Sequence, residues 1–270
     1  MLDSLPELTE NFLRPLLQGG ALVTFLLAGA WYPRVREQKL INPDLVKNLL
    51  NGLVLFGFSV IAIGLISEHI HWGLLDLKDQ PWVLQFLVAF LCLDFARYWL
   101  HFMGHRVPFF WYFHCVHHSA EVLDASTGLR MHVVDFIQLA IIPILLFNVI
   151  FEQMSFGVFE AAMGVGIVFD CFQHSNVYWD VKKPFQKAWH RVLNNPHFHS
   201  WHHTRDGHLC DGNYSNTLII WDRLFKTEVT QEQAPELMGL DGDQRLKNTV
   251  IGWQLLQAAP ASAQAEADST

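Results

Sequence analysis

Three short groups of histidines are the residues of this chain best suited to metal chemistry. The groups are His101/His105, His114/His117/His118 and His199/His202/His203. Residues three or four apart lie on one face of a helix, so each group is predicted to present two or three imidazoles at one point. Neutral imidazole is the commonest metal ligand in proteins, and one zinc ion takes only three or four protein ligands. The number of histidines therefore predicts two metal ions with about four or five ligands each.

Four further side chains are candidates for the same centre. His174 closes an apolar segment, four residues after Asp170, at the membrane depth predicted for the three groups, and is predicted as a ninth ligand. His132 is a candidate ligand or, alternatively, a residue that supports a ligand or lines a substrate loop. Asp170 and Asn176 flank His174 and are candidates for contact with the metal or with its ligands.

Asp94 begins a polar stripe that leads into the first histidine group. Asp94, Tyr98, His101 and His105 are spaced by four, three and four residues, so they share one helix face. A carboxylate there can accept the second N–H of a ligating imidazole and fix its tautomer. The alternative is that Asp94 pairs with Arg97 or Tyr98, and the sequence leaves both interpretations open.

The composition indicates that these groups belong to a membrane protein. Hydrophobic residues make up 51% of the chain and charged residues only 16%, which is too apolar for an ordinary soluble domain. A net charge of -8 argues against nucleic acid as a partner. Five apolar segments stand out: Pro15–Tyr32, Leu49–Ser67, Trp82–Leu100, Phe136–Phe151 and Phe156–Phe172.

The lengths of these segments predict an all-α integral membrane protein. About 20 residues cross about 30 Å of hydrocarbon, so the first three segments are predicted to span and the last two to form a helical hairpin. Loop 33–48 carries four Lys or Arg residues and loop 68–81 only one. Because positive loops stay cytoplasmic, the histidine groups are predicted to form a helical cap on the cytoplasmic side of a multi-pass transmembrane bundle.

A wider set of motif residues surrounds the histidines. It comprises Asp94, Tyr98, Trp99, His101, His105, Trp111, His114, His117, His118, Ser119, Arg130, His132, His174, Asn176, His199, His202, His203, Asn213, Tyr214 and the run Trp221, Asp222, Arg223, Leu224, Phe225. This pattern, over about Asp94 to Thr227, resembles the fatty acid hydroxylase and sterol desaturase superfamily. The chain departs from the family pattern at Val133, Ser215 and Lys226, none of which removes a ligand.

The resemblance implies a centre of two non-haem iron ions that uses O₂ and two external electrons. Such a centre would hydroxylate, oxidise or desaturate a C–H bond of a lipid such as a fatty acyl chain or a sterol-like molecule. The family's ligand role falls on the eight grouped histidines, with His174 as a further ligand. The electrons would come from a separate reductase, ferredoxin or cytochrome-type protein at the cytoplasmic face.

The resemblance also sets the predicted domain boundaries. Residues 1–80 are predicted as N-terminal transmembrane helices and 81–227 as the catalytic domain. Residues 228–257 are predicted to form a polar segment. Residues 258–270, rich in Ala, Ser, Gln and Glu, are predicted to form a disordered tail.

Two alternatives remain open from the residues alone. Spacing does not distinguish iron from zinc, so a zinc-dependent lipid enzyme on the same scaffold fits the histidine pattern. A membrane protein that binds metal or haem without turnover is the second alternative. Haem ligation by two facing histidines does not explain the adjacent pairs His117/His118 and His202/His203.

Overall fold

Helices make up most of the chain. The computed structural model describes residues 5–67, 73–154, 156–206 and 209–240. His69, His71 and His208 lie outside the described residues. So do the part of the predicted polar segment after residue 240 and the predicted tail.

Each of the five apolar segments forms a long helix. These are α1 (Leu5–Trp31), α2 (Pro43–Ser67), α3 (Trp82–Arg106), a continuous helix Val133–Ile150, and α7 (Phe156–His174). The continuous helix consists of α5 (Val133–Phe136), a π-helical turn (Ile137–Ile141) and α6 (Ile142–Ile150). The short elements are α4 (Pro108–His118), a 3₁₀ turn (Thr127–Leu129), α8 (Pro184–Trp189), α9 (Pro196–His202), α10 (Ile220–Phe225), and the strands β1 (Leu75–Asp76) and β2 (Phe151–Gln153).

Two of the described helices are long and apolar enough to cross a membrane. They are α3 and the helix Val133–Ile150, and Leu16–Trp31 is a shorter apolar helix. The helix Val133–Ile150 begins three residues before the predicted apolar segment, because His132 caps it by accepting a hydrogen bond from the Val134 N–H. The first arm of the predicted hairpin is therefore long enough to span. The total number of spans and the side on which the histidines lie stay predictions.

The helices pack around an apolar core at the end of the bundle away from the histidines. Ala89 and Leu93 of α3 contact Phe147 of α6 and Val158 and Ala162 of α7. Beside them β1 and β2 pair in parallel and tie together the loops before α3 and before α7. This core fixes α3 against α7 and so sets the relative positions of the histidines near their last turns.

A sharp reversal between α3 and α4 brings the first two histidine groups face to face. Val107 is extended, with φ of -102° and ψ of 115°, because the ring of Pro108 disfavours a helical conformation at the preceding residue. Pro108 then occupies the first turn of α4, where no backbone N–H is needed. The chain folds back at this point, and α4 packs against the last turns of α3.

The third group lies on the short helix α9, which has strong start signals. The Asn195 side chain accepts a hydrogen bond from the Phe198 N–H, and Pro196 occupies the first turn. Asn213, at a φ of 60°, donates to the Phe198 carbonyl and to the Val229 carbonyl. These contacts hold seven residues in a helix that would be unstable alone.

Candidate metal centre

Nine histidines come together in two adjacent groups. The five-histidine group contains His101, His105, His114, His118 and His202, and the four-histidine group contains His117, His174, His199 and His203. Within each group one ring nitrogen of every residue lies within 4.8 Å of the others. These are the nine predicted ligands, divided as two metal ions would divide them.

Each sequence group was predicted to converge on one point. His101 and His105 do stay together, whereas the second and third sequence groups are each divided between the two sites. Residues four apart stay together, as His114 and His118 do, whereas neighbours separate, as His117 and His118 do. The reason is helical geometry, since successive residues point about 100° apart around the axis. His202 and His203 are divided in the same way, and this explains why the pattern contains adjacent pairs.

The ring nitrogens of the five-histidine group face one another at short distances. His101 Nε2 lies 3.1 Å from His114 Nε2, and His105 Nε2 lies 3.1 Å from His118 Nε2. His101 Nδ1 donates to the Tyr214 carbonyl at 2.8 Å, and His114 Nδ1 lies 3.0 Å from a carboxylate oxygen. Because a carbonyl or carboxylate only accepts, both protons sit on Nδ1 and two lone pairs oppose each other at Nε2.

The four-histidine group repeats this arrangement around His174. Its Nε2 lies 3.2 Å from His117 Nε2 and 3.0 Å from His199 Nε2, and His199 lies 3.2 Å from His203. His174 Nδ1 donates to the Asp170 carbonyl at 2.7 Å. Two nitrogens bound at right angles to one ion, each about 2.1 Å from it, lie about 3 Å apart. The observed separations fit ligands of a shared ion.

Burial favours the neutral form of five imidazoles on α4 and at α9. It lowers the pKa of His202 to about 3 and holds the pKa values of His117, His118, His199 and His203 well below their ordinary value. His202 Nδ1 donates to the Gly212 carbonyl at 2.7 Å, while its buried Nε2 has no protein partner in the described part of the chain. A neutral ring with one buried lone pair is the form that binds a transition metal.

Two carboxylates contact histidines of the five-histidine group at Nδ1, the nitrogen that faces away from the other rings. Neither carboxylate was predicted from the sequence. Asp135 Oδ1 lies 3.0 Å from His114 Nδ1, and both side chains are buried. Asp211 Oδ1 lies 3.3 Å from His105 Nδ1, and Arg106 lies 3.4 Å from the other oxygen of Asp211. An acid at the start of an apolar segment was the available signal for Asp135. Asp211 lies in a loop without a comparable signal.

Of three other candidates in the described part of the chain, only Asp170 contacts one of the nine histidines. His132 lies outside both groups and caps α5, its ring packed 4.6 Å from that of Phe113. Asn176 exchanges two hydrogen bonds with the backbone of Val35 and so joins the loop after α1 to the end of α7. Asp170 supports His174 mainly through its carbonyl, because its carboxylate is 3.6 Å from the ring.

Asp94 binds backbone rather than an imidazole. Its carboxylate accepts hydrogen bonds from the Thr217 and Leu218 N–H groups, both at 3.1 Å, and from the Trp221 indole at 2.9 Å. Of the two interpretations that the sequence left open, a hydrogen bond between Asp94 and a ligating histidine is therefore not found in the described residues. Asp94 instead holds the segment before α10 against α3.

Replacing Asp94 by asparagine is expected to lower stability without removing a ligand. The amide has one acceptor oxygen in place of two, and its NH₂ group would face a backbone N–H, so we expect a loss of about 2 kcal/mol. Thermal unfolding of the purified protein in detergent measures this loss. Bound metal per folded chain should stay unchanged, and loss of metal without loss of stability would contradict this role.

The fold and the donor set define a helical protein with nine histidines in two groups, each of which could hold a metal ion. Residues 86–227, just over half of the chain, match the fatty acid hydroxylase family model. The chain belongs to the fatty acid hydroxylase family.

Individual relatives are similar over part of their length. An alkylglycerol monooxygenase of Xenopus tropicalis is 34% identical over 157 residues, which are 57% of this chain and 32% of that protein. One from Caenorhabditis elegans is 30% identical over 205 residues, 75% of this chain and 38% of that protein. An ornithine lipid hydroxylase of Rhizobium tropici is 28% identical over 177 residues, 63% of this chain and 48% of that protein.

The chain thus spans about a third to a half of the length of these relatives. No solved structure matches it.

Proposed function

We propose that this chain is a membrane-bound di-iron monooxygenase that uses O₂ and two external electrons to hydroxylate a C–H bond of a lipid. The observation that carries the proposal is the division of nine histidines, seven of them buried, into groups of five and four. Nitrogen donors in this number suit two transition-metal ions rather than magnesium or calcium. The family membership supports iron, and the nitrogen-only donor set fits it.

We propose hydroxylation and not desaturation as the reaction, because of the activities named for the similar proteins. The similar proteins are described as alkylglycerol monooxygenases and an ornithine lipid hydroxylase, and both descriptions denote hydroxylation of a lipid. A lipid substrate also suits a chain whose α3 and Val133–Ile150 helices can cross a bilayer. Electrons would come from a separate reductase, ferredoxin or cytochrome-type donor on the side of the histidines.

The protein's own residues position and shield the centre. His101 and His202 donate their Nδ1 protons to the Tyr214 and Gly212 carbonyls, which leaves each Nε2 free to bind an ion. Burial of the rings excludes bulk water from the metals. Bound iron, with O₂, would supply the oxidation of the C–H bond, and the protein would hold the lipid carbon beside it.

The proposed placement has the histidines on the cytoplasmic side of a multi-pass protein. Arg34, Arg36, Lys39 and Lys47 follow α1, and positive loops stay cytoplasmic. The last turns of α3 and α7, which carry His101, His105 and His174, end on the same side as that loop. Residues 81–227 are proposed to form the catalytic domain.

The decisive test measures metal and oxygen together. Protein purified without oxygen and reconstituted in lipid nanodiscs should contain iron, and with a chemical reductant and ¹⁸O₂ it should add one labelled oxygen atom to an alkyl lipid. The same protein loaded with zinc is the control and should form no product. Full zinc occupancy in the isolated protein, with no O₂ uptake after iron is restored, would refute the proposal, and loss of two hydrogens from the lipid would show desaturation.

A further inference from the structure

The segment held by Asp94 lies deep along a helix that can cross a membrane. Asp94 is twelve residues after Trp82, the first residue of α3, which places it about 18 Å along the helix axis. The hydrocarbon layer is about 30 Å thick. If α3 spans from Trp82, the backbone of Thr217 and Leu218 must enter the bilayer to reach this carboxylate, and their N–H groups are satisfied there by Asp94.

The helix that follows packs against α3 at the same depth. The Trp221 ring lies 5.0 Å from Phe95, and the Phe225 ring lies 4.9 Å from Trp99 and 5.4 Å from Tyr98. Phe95 and Trp99 are about 20 Å and 26 Å from the start of α3. Helix α10 therefore lies beside the membrane-crossing part of α3 and not beyond its end.

The polarity of α10 is inverted relative to a helix on a soluble surface. Asp222 is fully buried and accepts from the Tyr214 and Ser215 N–H groups and from the Thr227 hydroxyl. Facing outward are Ile220, 52% exposed, and Leu224, 63% exposed. The exposed Arg223 is the charged exception, and its guanidinium is bound by Glu228 and the His190 carbonyl. Polar groups inside and large aliphatic groups outside suit contact with lipid.

Helix α8 lies at a matching depth on the other long helix. Its Trp189 ring is 6.1 Å from Phe169 and 6.0 Å from Phe172 of α7, which are about 20 Å and 24 Å from the first residue of α7. Phe185 of α8 is 68% exposed. The exposed Val192 joins the two helices, because its carbonyl accepts from the Ile219 N–H at 3.0 Å.

These exposed apolar side chains form one surface, called here the apolar rim: Phe185, Val192, Ile220 and Leu224. Exposed cations border it at Lys187, Arg191 and Lys226. The nearby Glu228 is already bound by Arg223 at 3.0 Å. An apolar band edged by cations is complementary to acyl chains below anionic phosphates.

We infer that the apolar rim is embedded in the bilayer, with acyl chains against its four apolar residues and anionic phospholipid headgroups at Lys187, Arg191 and Lys226. Helices α8 and α10 then belong to the membrane interface instead of a cap in water. A bilayer explains why exposed apolar residues occur at one depth on α10 beside α3 and on α8 beside α7. The inference depends on the proposed membrane placement of these helices and not on the proposed chemistry.

Photo-crosslinking of the full chain in nanodiscs tests the inference. A diazirine amino acid replaces Leu224, and the nanodiscs contain phosphatidylcholine with a minor fraction of phosphatidylglycerol. We expect severalfold more phospholipid adducts at Leu224 than at the exposed Glu236, which lies outside the rim, as measured by mass spectrometry. In the K187Q/R191Q double variant the share of phosphatidylglycerol among these adducts should fall by about fivefold or more, since each cation near an anionic surface contributes about that factor.

A second probe separates this inference from the membrane placement. Leu91 is exposed on the apolar stretch of α3 and should give lipid adducts if α3 spans the bilayer. Lipid adducts at Leu91 with none at Leu224 would overturn the inference about the apolar rim and leave the membrane placement of α3 standing. Adducts at Leu224 to a second copy of the chain or to another protein would do the same. Absence of lipid at both positions would reject the membrane placement as well.

Discussion

Replacing His118 by alanine is expected to remove the ion of the five-histidine group and to abolish turnover. The variant loses one of two nitrogens that face each other at 3.1 Å, and His105 Nε2 loses its neighbour. We expect iron to fall from about two ions per chain toward one, and activity by more than about 100-fold, which exceeds the cost of losing a contact outside the ligand shell.

The adjacent residue gives a matched comparison. His117 and His118 are both buried near the end of α4, yet they belong to different groups. In H117A the four-histidine group should lose its ion, and the five-histidine group should keep its own. Mössbauer spectra should therefore show a different remaining iron in each variant, and identical spectra would contradict the division into two groups.

A histidine on α9 serves as the control for folding. His197 is buried close to His199 and His202, but its Nε2 contacts the Gln231 carbonyl at 2.7 Å. H197A should lose about 1 kcal/mol of stability from this hydrogen bond and keep both iron ions. If H197A lost iron to the same extent as H118A, the loss would reflect disruption of α9 or the fold and not of a ligand set.

The long helices were predictable because their apolar segments are long. The third segment was predicted from Trp82, where α3 begins, and the fifth from Phe156, where α7 begins. Both helices extend past the apolar segment, since their last turns carry histidines that are buried against one another. Hydropathy alone places a helix end where polarity rises, and here the proposed metal ligands are themselves the polar residues at the helix end.

Contacts between distant parts of the chain could not be predicted in this way. Asp94 binds Thr217 and Leu218, more than 120 residues away, and only the packing of α10 on α3 brings them together. The carbonyls of Tyr214 and Gly212 that orient His101 and His202 carry no side-chain signal.

The division of the nine histidines into two groups could have been predicted from the sequence, because adjacent histidines on one helix point in different directions.

The second large effect is expected at Asp135, through the charge that it brings to the centre. Nine histidine ligands would bring no negative charge to the two proposed metal ions, whose positive charge would then be uncompensated inside the protein, where charges interact strongly. Asp135 is the buried carboxylate in contact with the five-histidine group, 3.0 Å from His114 Nδ1. It fixes the proton on Nδ1 and supplies negative charge near the ion, two effects that separate substitutions can distinguish.

In D135A the Nδ1 proton of His114 loses its acceptor, and we expect metal affinity and activity to fall by about 10-fold to 100-fold. In D135N the amide oxygen can still accept a hydrogen bond from the His114 Nδ1–H group, so metal binding should weaken less. The loss of negative charge should nevertheless raise the reduction potential of the iron, because the more positive oxidised state loses more stabilisation than the reduced state. A redox titration followed by the absorbance of the oxidised centre measures this shift.

Asp124 provides a control of equal burial and charge. Its carboxylate accepts from the backbone and hydroxyl of Ser126, within the loop that ends at the 3₁₀ turn, and it lies outside both histidine groups. Asp124 also accepts from the Asn42 amide, and its nearest charge effect in the centre is on His174 and not on the five-histidine group. D124N should therefore lower stability and shift the potential of the iron much less than D135N does, because Asp124 makes no hydrogen bond to a histidine ring. Equal potentials in D135N and D124N would mean that Asp135 acts only by packing. A shift confined to D135N would show that this carboxylate, together with the carbonyls that orient the other rings, sets the electronic state in which the nine histidines hold iron.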